Sequence, residues 1–191
     1  SDPVDTTIMR GDPTDFEFAL RACDGAEVIY TCLNGPAKVW KSEFPPVIDN
    51  LINVAEATGA KLVHWDLAHM YGPTREPITE ATPNSAKTES AQTLIEIADK
   101  IINATWLGRI EGVIGRSSDV YGPGAISPEF GSSFGGRVFW SALEDTDLSV
   151  VGDIDVPRSM SYIDDVACGL IMLGEATDSA GHIWHLPSAP P

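Results

Sequence analysis

Gly115-Arg-Ser-Ser-Asp-Val-Tyr-Gly-Pro-Gly124 is the stretch on which the reading of this chain turns. A short apolar lead-in, Val113 and Ile114, breaks there into a polar, glycine-rich corner. Backbone in a core has to be hydrogen-bonded, so a buried strand ending in such a corner brings polar groups to water or to a ligand. In open α/β sheets the carboxyl ends of the strands are where ligands bind. Arg116, Ser117, Asp119 and Tyr121 are therefore candidate binding residues.

Working outward, strand-like runs alternate with helix-like runs, the pattern of βαβ units around a parallel sheet. Upstream, Thr6 to Arg10 reads as a short strand, and Asp12-Pro-Thr-Asp15 as a helix start before the apolar face of Phe16, Ala19, Leu20 and Cys23. Ala26 to Cys32 is rich in apolar and β-branched residues and ends at Asn34-Gly-Pro36, a strand followed by a loop. Phe44, Val47, Ile48, Leu51, Ile52 and Ala55 follow a helical period up to Gly59, which stands where a C-terminal cap belongs. Pro45 and Pro46 are expected in that helix's first turn. Lys61 to Trp65 is the next strand, and a polar loop containing Pro73, Pro77 and Pro83 leads to a helix expected from about Ser85 to Ala104.

Glu111 to Gly115 is the strand that enters the corner. Beyond it, glycine, serine and proline dominate from Pro123 to Ser133, the composition of a chain leaving the sheet for a small lobe. Val138 to Leu143 reads as helix and Leu148 to Val151 as a short strand before a turn at Gly152 to Asp155. A helix through Ile163, Val166, Leu170 and Ile171 opens with Asp164 and Asp165, carboxylates that favour a helix N-terminus. Gly181 to Leu186 is the last strand. The expected organisation is an α/β, Rossmann-like core over residues 1–122, a small substrate-side lobe with an interleaved helix over 123–181, and a final strand in 182–191 returning to the core.

Twelve basic against 28 acidic side chains give a formal charge of −16, which repels nucleic-acid phosphates and anionic lipid surfaces alike. No run approaches the roughly 20 apolar residues needed to span a bilayer, and the expected location is the cytoplasm. Cys23, Cys32 and Cys168 lie far apart with no CxxC spacing, the pattern of reduced thiols rather than metal ligands. His64, Asp66 and His69 superficially resemble a metal cluster, since residues 64 and 66 share a strand face. They lack a visible further ligand, so a metal-assisted hydrolase ranks last among the readings and no metal site is assigned.

With Met70-Tyr-Gly-Pro73 before it and Ser161-Tyr-Ile-Asp-Asp-Val-Ala167 after it, the corner resembles the extended short-chain dehydrogenase/reductase family, the nicotinamide-dependent epimerases and dehydratases. Glu43-Phe-Pro-Pro46 and Trp184-His-Leu-Pro-Ser188 are similar to an atypical branch of epimerase-like proteins. The resemblance implies a Rossmann-like parallel sheet truncated in its N-terminal half, and NAD or NADP as cofactor. It implies cofactor contacts from Asp12, from Thr31, Cys32 and Asn34, and from Arg116 and Ser117. It implies a small carbonyl or hydroxyl substrate held by Asp119, Tyr121 and Arg158.

The family's phosphate cradle is a glycine-rich turn after its first strand, and no G-x-G-x-x-G precedes residue 11. The family's strand order would then leave one edge of the Ala26 to Cys32 strand bare, to be covered by the rest of a longer protein or by a partner subunit such as a second copy. The family's catalytic Tyr and the Lys four residues later fall on Thr88 and Gln92 when Glu96 is taken as the glutamate beyond them, and neither can do that acid–base chemistry near neutral pH. A proton would have to move through Asp66, Tyr71, Thr88 or water. The expected function is an NAD(P)-dependent oxidoreductase or epimerase-like protein. The alternative is a non-catalytic binding or regulatory protein that keeps the fold.

Overall fold

A computed structural model describes residues 6–33, 35–74, 76–125, 136–147 and 155–190. The elements in chain order are α1 (Phe16–Ala22), β1 (Val28–Thr31), α2 (Ala37–Thr58), β2 (Lys61–Leu67), a 3₁₀ turn (Ala68–Tyr71), α3 (Glu89–Trp106), β3 (Gly112–Ser117), β4 (Asp119–Tyr121), α4 (Gly136–Leu143), β5 (Met160–Tyr162), α5 (Ile163–Glu175) and β6 (Ile183–His185). The sheet is parallel, in the order β1-β2-β3-β6, and β4 pairs with β5 in a separate two-stranded parallel ribbon. This is the α/β, Rossmann-like architecture expected. Among the described residues no helix is long and apolar enough to cross a membrane.

Alternation along each strand sorts the core onto two faces of the sheet. Ile29, Leu62 and Ile114 pack with the buried residues of α1, α2 and α3 on one face. Val63 and Val113 pack on the other with Val166 and Leu170 of α5 and with Leu186. Lys61, at the amino end of β2, ties down the chain after α5: its ammonium donates to Ser179 Oγ at 2.7 Å and to the Ala176 carbonyl.

Several boundaries differ from expectation for identifiable reasons. Thr6 to Arg10 is exposed and forms no strand, because no described strand lies beside it to complete its hydrogen bonds. Pro45 and Pro46 stand well inside α2, which starts at Ala37. A mid-helix proline removes a backbone donor and crowds the preceding turn, at a cost of about 3 kcal/mol. The helix runs through them because Trp40 and Phe44 on one side and Val47, Ile48 and Ile52 on the other bury the same stripe. Gly59 caps it in a left-handed conformation, φ 74°, its N–H on the Ala55 carbonyl.

The start of α3 is Glu89 rather than Ser85, because the backbone N–H groups of Ser85 and Ala86 both reach back to the Met70 carbonyl, at 3.0 and 3.1 Å. That pairing straps the long loop to the 3₁₀ turn. The strand expected at Leu148 to Val151 lies outside the described residues, as do residues 126–135 and 148–154 of the expected lobe. The α5 helix packs on the core sheet, and no described strand pairs with the outer edge of β1.

Candidate active site at the carboxyl edge of the sheet

Register gathers a row of polar side chains on the α2/α3 face at the carboxyl ends of the strands. Residues in register on neighbouring parallel strands share a face, and the sheet pairs Thr31 with His64, Asp66 with Arg116, and Arg116 with His185. Thr31 Oγ1 lies 2.5 Å from His64 Nδ1. Arg116 Nε donates to Asp66 Oδ2 at 2.9 Å, and both side chains are almost completely buried. Asp66 Oδ1 also accepts the Leu67 N–H at 2.8 Å.

The 3₁₀ turn folds Tyr71 over this row. Its ring faces the Arg116 guanidinium, with Cζ 4.9 Å from the ring centroid, a cation–π contact. Its hydroxyl lies 2.7 Å from His185 Nε2, the two rings meeting edge to face at 5.6 Å. Gly72 ends the turn at φ 73°, and a Cβ there would stand 2.8 Å from Ser85 Oγ and 3.0 Å from the Ala86 nitrogen, so glycine is required both for the conformation and for the space. Ser85 Oγ donates to the Tyr71 carbonyl. From the same loop Glu80 Oε1 accepts the backbone N–H of His185 at 3.0 Å, clamping the loop against β6.

Burial sets the protonation of the row. Desolvation drives His64 down to about 4, helped by the nearby Arg116 cation, so the imidazole is neutral at pH 7. Desolvation pushes the Asp66 carboxyl up to about 6, against the pull of Arg116 and of its hydrogen bonds. The Tyr71 phenol is raised by burial and held back by Arg116. His185 is lowered by burial and by Arg116, with Glu80 acting the other way. Two buried atoms of the row have no hydrogen-bond partner, His64 Nε2 and Arg116 Nη2.

The expected site residues divide between this row and other places. Asp66, Tyr71, Thr31 and Arg116 come together in it. Ser117 is fully buried on the opposite face, its hydroxyl accepting Trp65 Nε1–H at 2.9 Å. Thr88 is exposed and is the N-cap of α3, its hydroxyl accepting the Ala91 N–H. Gln92, at the family's lysine position, donates to the Ala86 carbonyl at 2.6 Å. Both therefore serve the start of α3, and neither belongs to the row. Asp12 is exposed in an Asx turn, accepting the N–H and hydroxyl of Thr14 at 2.8 and 2.7 Å.

Cys32 and Arg158 are exposed, and Asn34 lies outside the described residues. Asp119 accepts the Val120 N–H, and Tyr121 packs on Tyr162, with ring centroids 5.5 Å apart in the β4–β5 ribbon. His69 stacks near Trp40 at 6.5 Å rather than joining His64, and no three metal-type ligands converge among the described residues. His185 and Glu80 were not singled out in the sequence. The available signal was a histidine at the end of the last strand, two positions beyond an apolar residue of the same face.

Residues 7–186 match the NAD dependent epimerase/dehydratase family. No curated protein sequence matches the chain. Among solved structures, a dTDP-glucose 4,6-dehydratase from Streptomyces venezuelae with NAD bound superposes with a TM-score of 0.77 at 21% identity, over 92% of this chain and 56% of that one. A dTDP-glucose 4,6-dehydratase from Bacillus anthracis in complex with NAD gives 0.78 at 16% identity, over 94% and 57%. UDP-glucuronic acid 4-epimerase from Bacillus cereus in complex with NAD gives 0.73 at 20% identity, over 88% and 57%. The chain thus spans a little over half the length of these structural neighbours.

Proposed function

Since the chain belongs to the NAD-dependent epimerase/dehydratase family, we propose that it contributes the carboxyl-edge half of a nicotinamide-dependent site acting on a small carbonyl or hydroxyl compound. The observation that carries this reading is the row Thr31–His64 and Asp66–Arg116–His185 under Tyr71. Buried ionisable groups with displaced pKa values at the strand ends of a parallel sheet are characteristic of functional sites.

The loop after β1 leads into the N-terminus of α2, a 22-residue helix whose first turn has no side-chain cap, leaving backbone N–H groups for an anion. Arg116 Nη2 and His64 Nε2 are partnerless polar atoms behind that edge. The uncapped helix end, with the Arg116 cation buried behind it, fits an anionic, oxygen-rich ligand such as NAD or NADP. Thr31, Cys32 and Gly35 with the α2 N-terminus would hold it, and when bound it supplies hydride transfer. Among the described residues no strand-to-helix connection is a glycine-rich cradle, so the pyrophosphate would rest partly on other residues.

Of the groups expected to move the proton, Thr88 is committed to a helix cap, and Asp66 to Arg116. Tyr71 is the remaining candidate, a phenol beside a fixed cation and hydrogen-bonded to an imidazole. Asp119 and Tyr121, on the ribbon that leaves β3, are the residues proposed to meet a substrate. The non-catalytic alternative draws support from Thr88 and Gln92, which have left acid–base chemistry for the start of α3.

Titration of the chain with NADH and NADPH, followed by thermal shift and tryptophan fluorescence, tests the cofactor reading. Ligand at 100 times its Kd adds about 2.7 kcal/mol of stability. A saturable rise in Tm supports the proposal, and no rise at millimolar concentrations of either cofactor overturns it for this chain. If a cofactor binds, its oxidation or reduction across a panel of small hydroxy and carbonyl compounds separates the enzyme from the binding protein.

A further inference from the structure

We infer that His185 is the catalytic group this site presents to its ligand, relaying the proton of Tyr71, with Glu80 as the residue that positions it. The inference rests on the proposed carboxyl-edge site and extends it to a residue that neither the family motifs nor the expected catalytic set contains.

Access comes first. Asp66, Tyr71, Arg116 and His64 are each at most 3% exposed, whereas His185 is only partly buried. A proton delivered to a ligand from this row therefore leaves through His185. The residue ends β6, in register with Arg116, at the edge where ligands of parallel sheets bind. It is also held from two directions, by Glu80 on its backbone N–H and by Tyr71 on Nε2.

The tautomer follows from donor counting. Among the described residues the Tyr71 hydroxyl is hydrogen-bonded to His185 Nε2 and the Arg116 guanidinium can only donate, so the phenol's own proton finds an acceptor when Nε2 is unprotonated. Nε2 is then the acceptor, and the ring proton resides on Nδ1. The charged or titratable groups facing the ring are Glu80 from the loop, Tyr71 from the 3₁₀ turn and Arg116 from β3. Burial and Arg116 favour the neutral ring, and Glu80 opposes them.

The transfer balances without a further reactant. His185 Nδ1–H passes its proton to a ligand oxygen, the Tyr71 proton moves to Nε2, and the ring stays neutral in its other tautomer. The negative charge that has left the ligand oxygen then rests on the Tyr71 phenolate, facing Arg116. In the reverse direction a ligand hydroxyl returns its proton to Nδ1 and Nε2 returns its own to Tyr71. This is the step that accompanies hydride transfer at a hydroxyl-bearing carbon.

The test needs no cofactor: long-range ¹H–¹⁵N correlation of the ¹⁵N-histidine-labelled chain between pH 5 and 8, with His185→Gln assigning the resonance. The expected result is a neutral Nδ1–H ring that titrates below 6.5, and loss of that fixed tautomer in Tyr71→Phe. Glu80→Gln, which keeps the loop length and an acceptor oxygen, should lower the titration further. A His185 that titrates at its ordinary value, or an Nε2–H tautomer in the unmodified chain, overturns the inference, and neither result requires a variant to fold. Failure of NADH and NADPH to bind would overturn the cofactor reading while leaving these spectra as they are, so the two failures are distinguishable.

Discussion

Replacing His64 by glutamine should change how stability depends on pH, and the size of the change can be worked from the structure. His64 is 3% exposed, and its folded pKa is about 4 against 6.5 for an ordinary histidine. A depressed folded pKa gives stability that is present above 6.5 and lost as pH falls towards 4, because the unfolded chain binds the proton first. Each pH unit of that difference is worth about 1.4 kcal/mol, so lowering the pH from 7 to 5 costs the unmodified protein about 2 kcal/mol through this one group. Asp66 works in the opposite sense. Its folded pKa of about 6, above the ordinary 3.8, gives stability that is complete below 3.8 and lost as pH rises through 6. In the unmodified protein the two groups therefore largely cancel between pH 5 and 7. In His64→Gln the Asp66 contribution stands uncovered. Urea unfolding at pH 7 and pH 5 measures this as a double difference, in which every titrating group common to both proteins drops out. The variant should lose about 2 kcal/mol less than its parent on acidification, whatever the pH-independent cost of losing the Thr31 bond. Equal pH dependence in the two proteins would refute the claim that His64 is buried as the neutral ring.

Two other substitutions test the surrounding structure. Arg116→Met leaves the Asp66 carboxylate buried and unpaired, and should cost about 3–5 kcal/mol in chemical denaturation, whereas the double variant with Asp66→Asn should recover part of that loss; a single-variant cost below about 1 kcal/mol would show that the pair is not buried as described. Pro46→Ala restores a backbone donor at an exposed position inside α2, so it should raise stability by about 2 kcal/mol, the helix penalty of about 3 less the entropy regained by the unfolded chain; a fall in Tm would mean that the proline ring itself supports the helix.

The helices were legible because each carries its own period. Six apolar positions from Phe44 to Ala55 define the buried stripe of α2, and the run Ala91, Leu94, Ala98 and Ile101 does the same for α3. Boundaries were less legible where loops decide them. Nothing local in Ser85 and Ala86 says that their N–H groups belong to the Met70 carbonyl, and nothing in Pro45 and Pro46 says that flanking apolar residues will carry a helix across them. Thr6 to Arg10 has the composition of a strand, but a strand exists only with a neighbour. The site was legible in its parts and not in its assembly. Asp66, Tyr71 and Arg116 stood out by their positions after strands, whereas His185 reaches Tyr71 across 114 residues of chain through the register of β3 with β6. A one-residue slip in that register would turn His185 to the α5 face, so its role is a property of the pairing rather than of any local motif.

Thr88 and Gln92, where the resemblance puts the family's tyrosine and lysine, do not by themselves remove the chemistry that pair implies. What that chemistry needs is a phenol whose ionised form is stabilised by a fixed positive charge, with a route for its proton. Thr88 and Gln92 supply neither, and their side chains are used to start α3. The same two elements, a phenol and a fixed guanidinium, recur at Tyr71 and Arg116, on the 3₁₀ turn and β3. The difference is that Arg116 is shared. Asp66 holds it from one side, and the nearby carboxylate raises the Tyr71 phenol while Arg116 lowers it. Protonation of Asp66, with its pKa near 6, would therefore release more of the cation's field to the phenol, and this makes the acid–base strength of Tyr71 a function of the whole row rather than of the tyrosine alone.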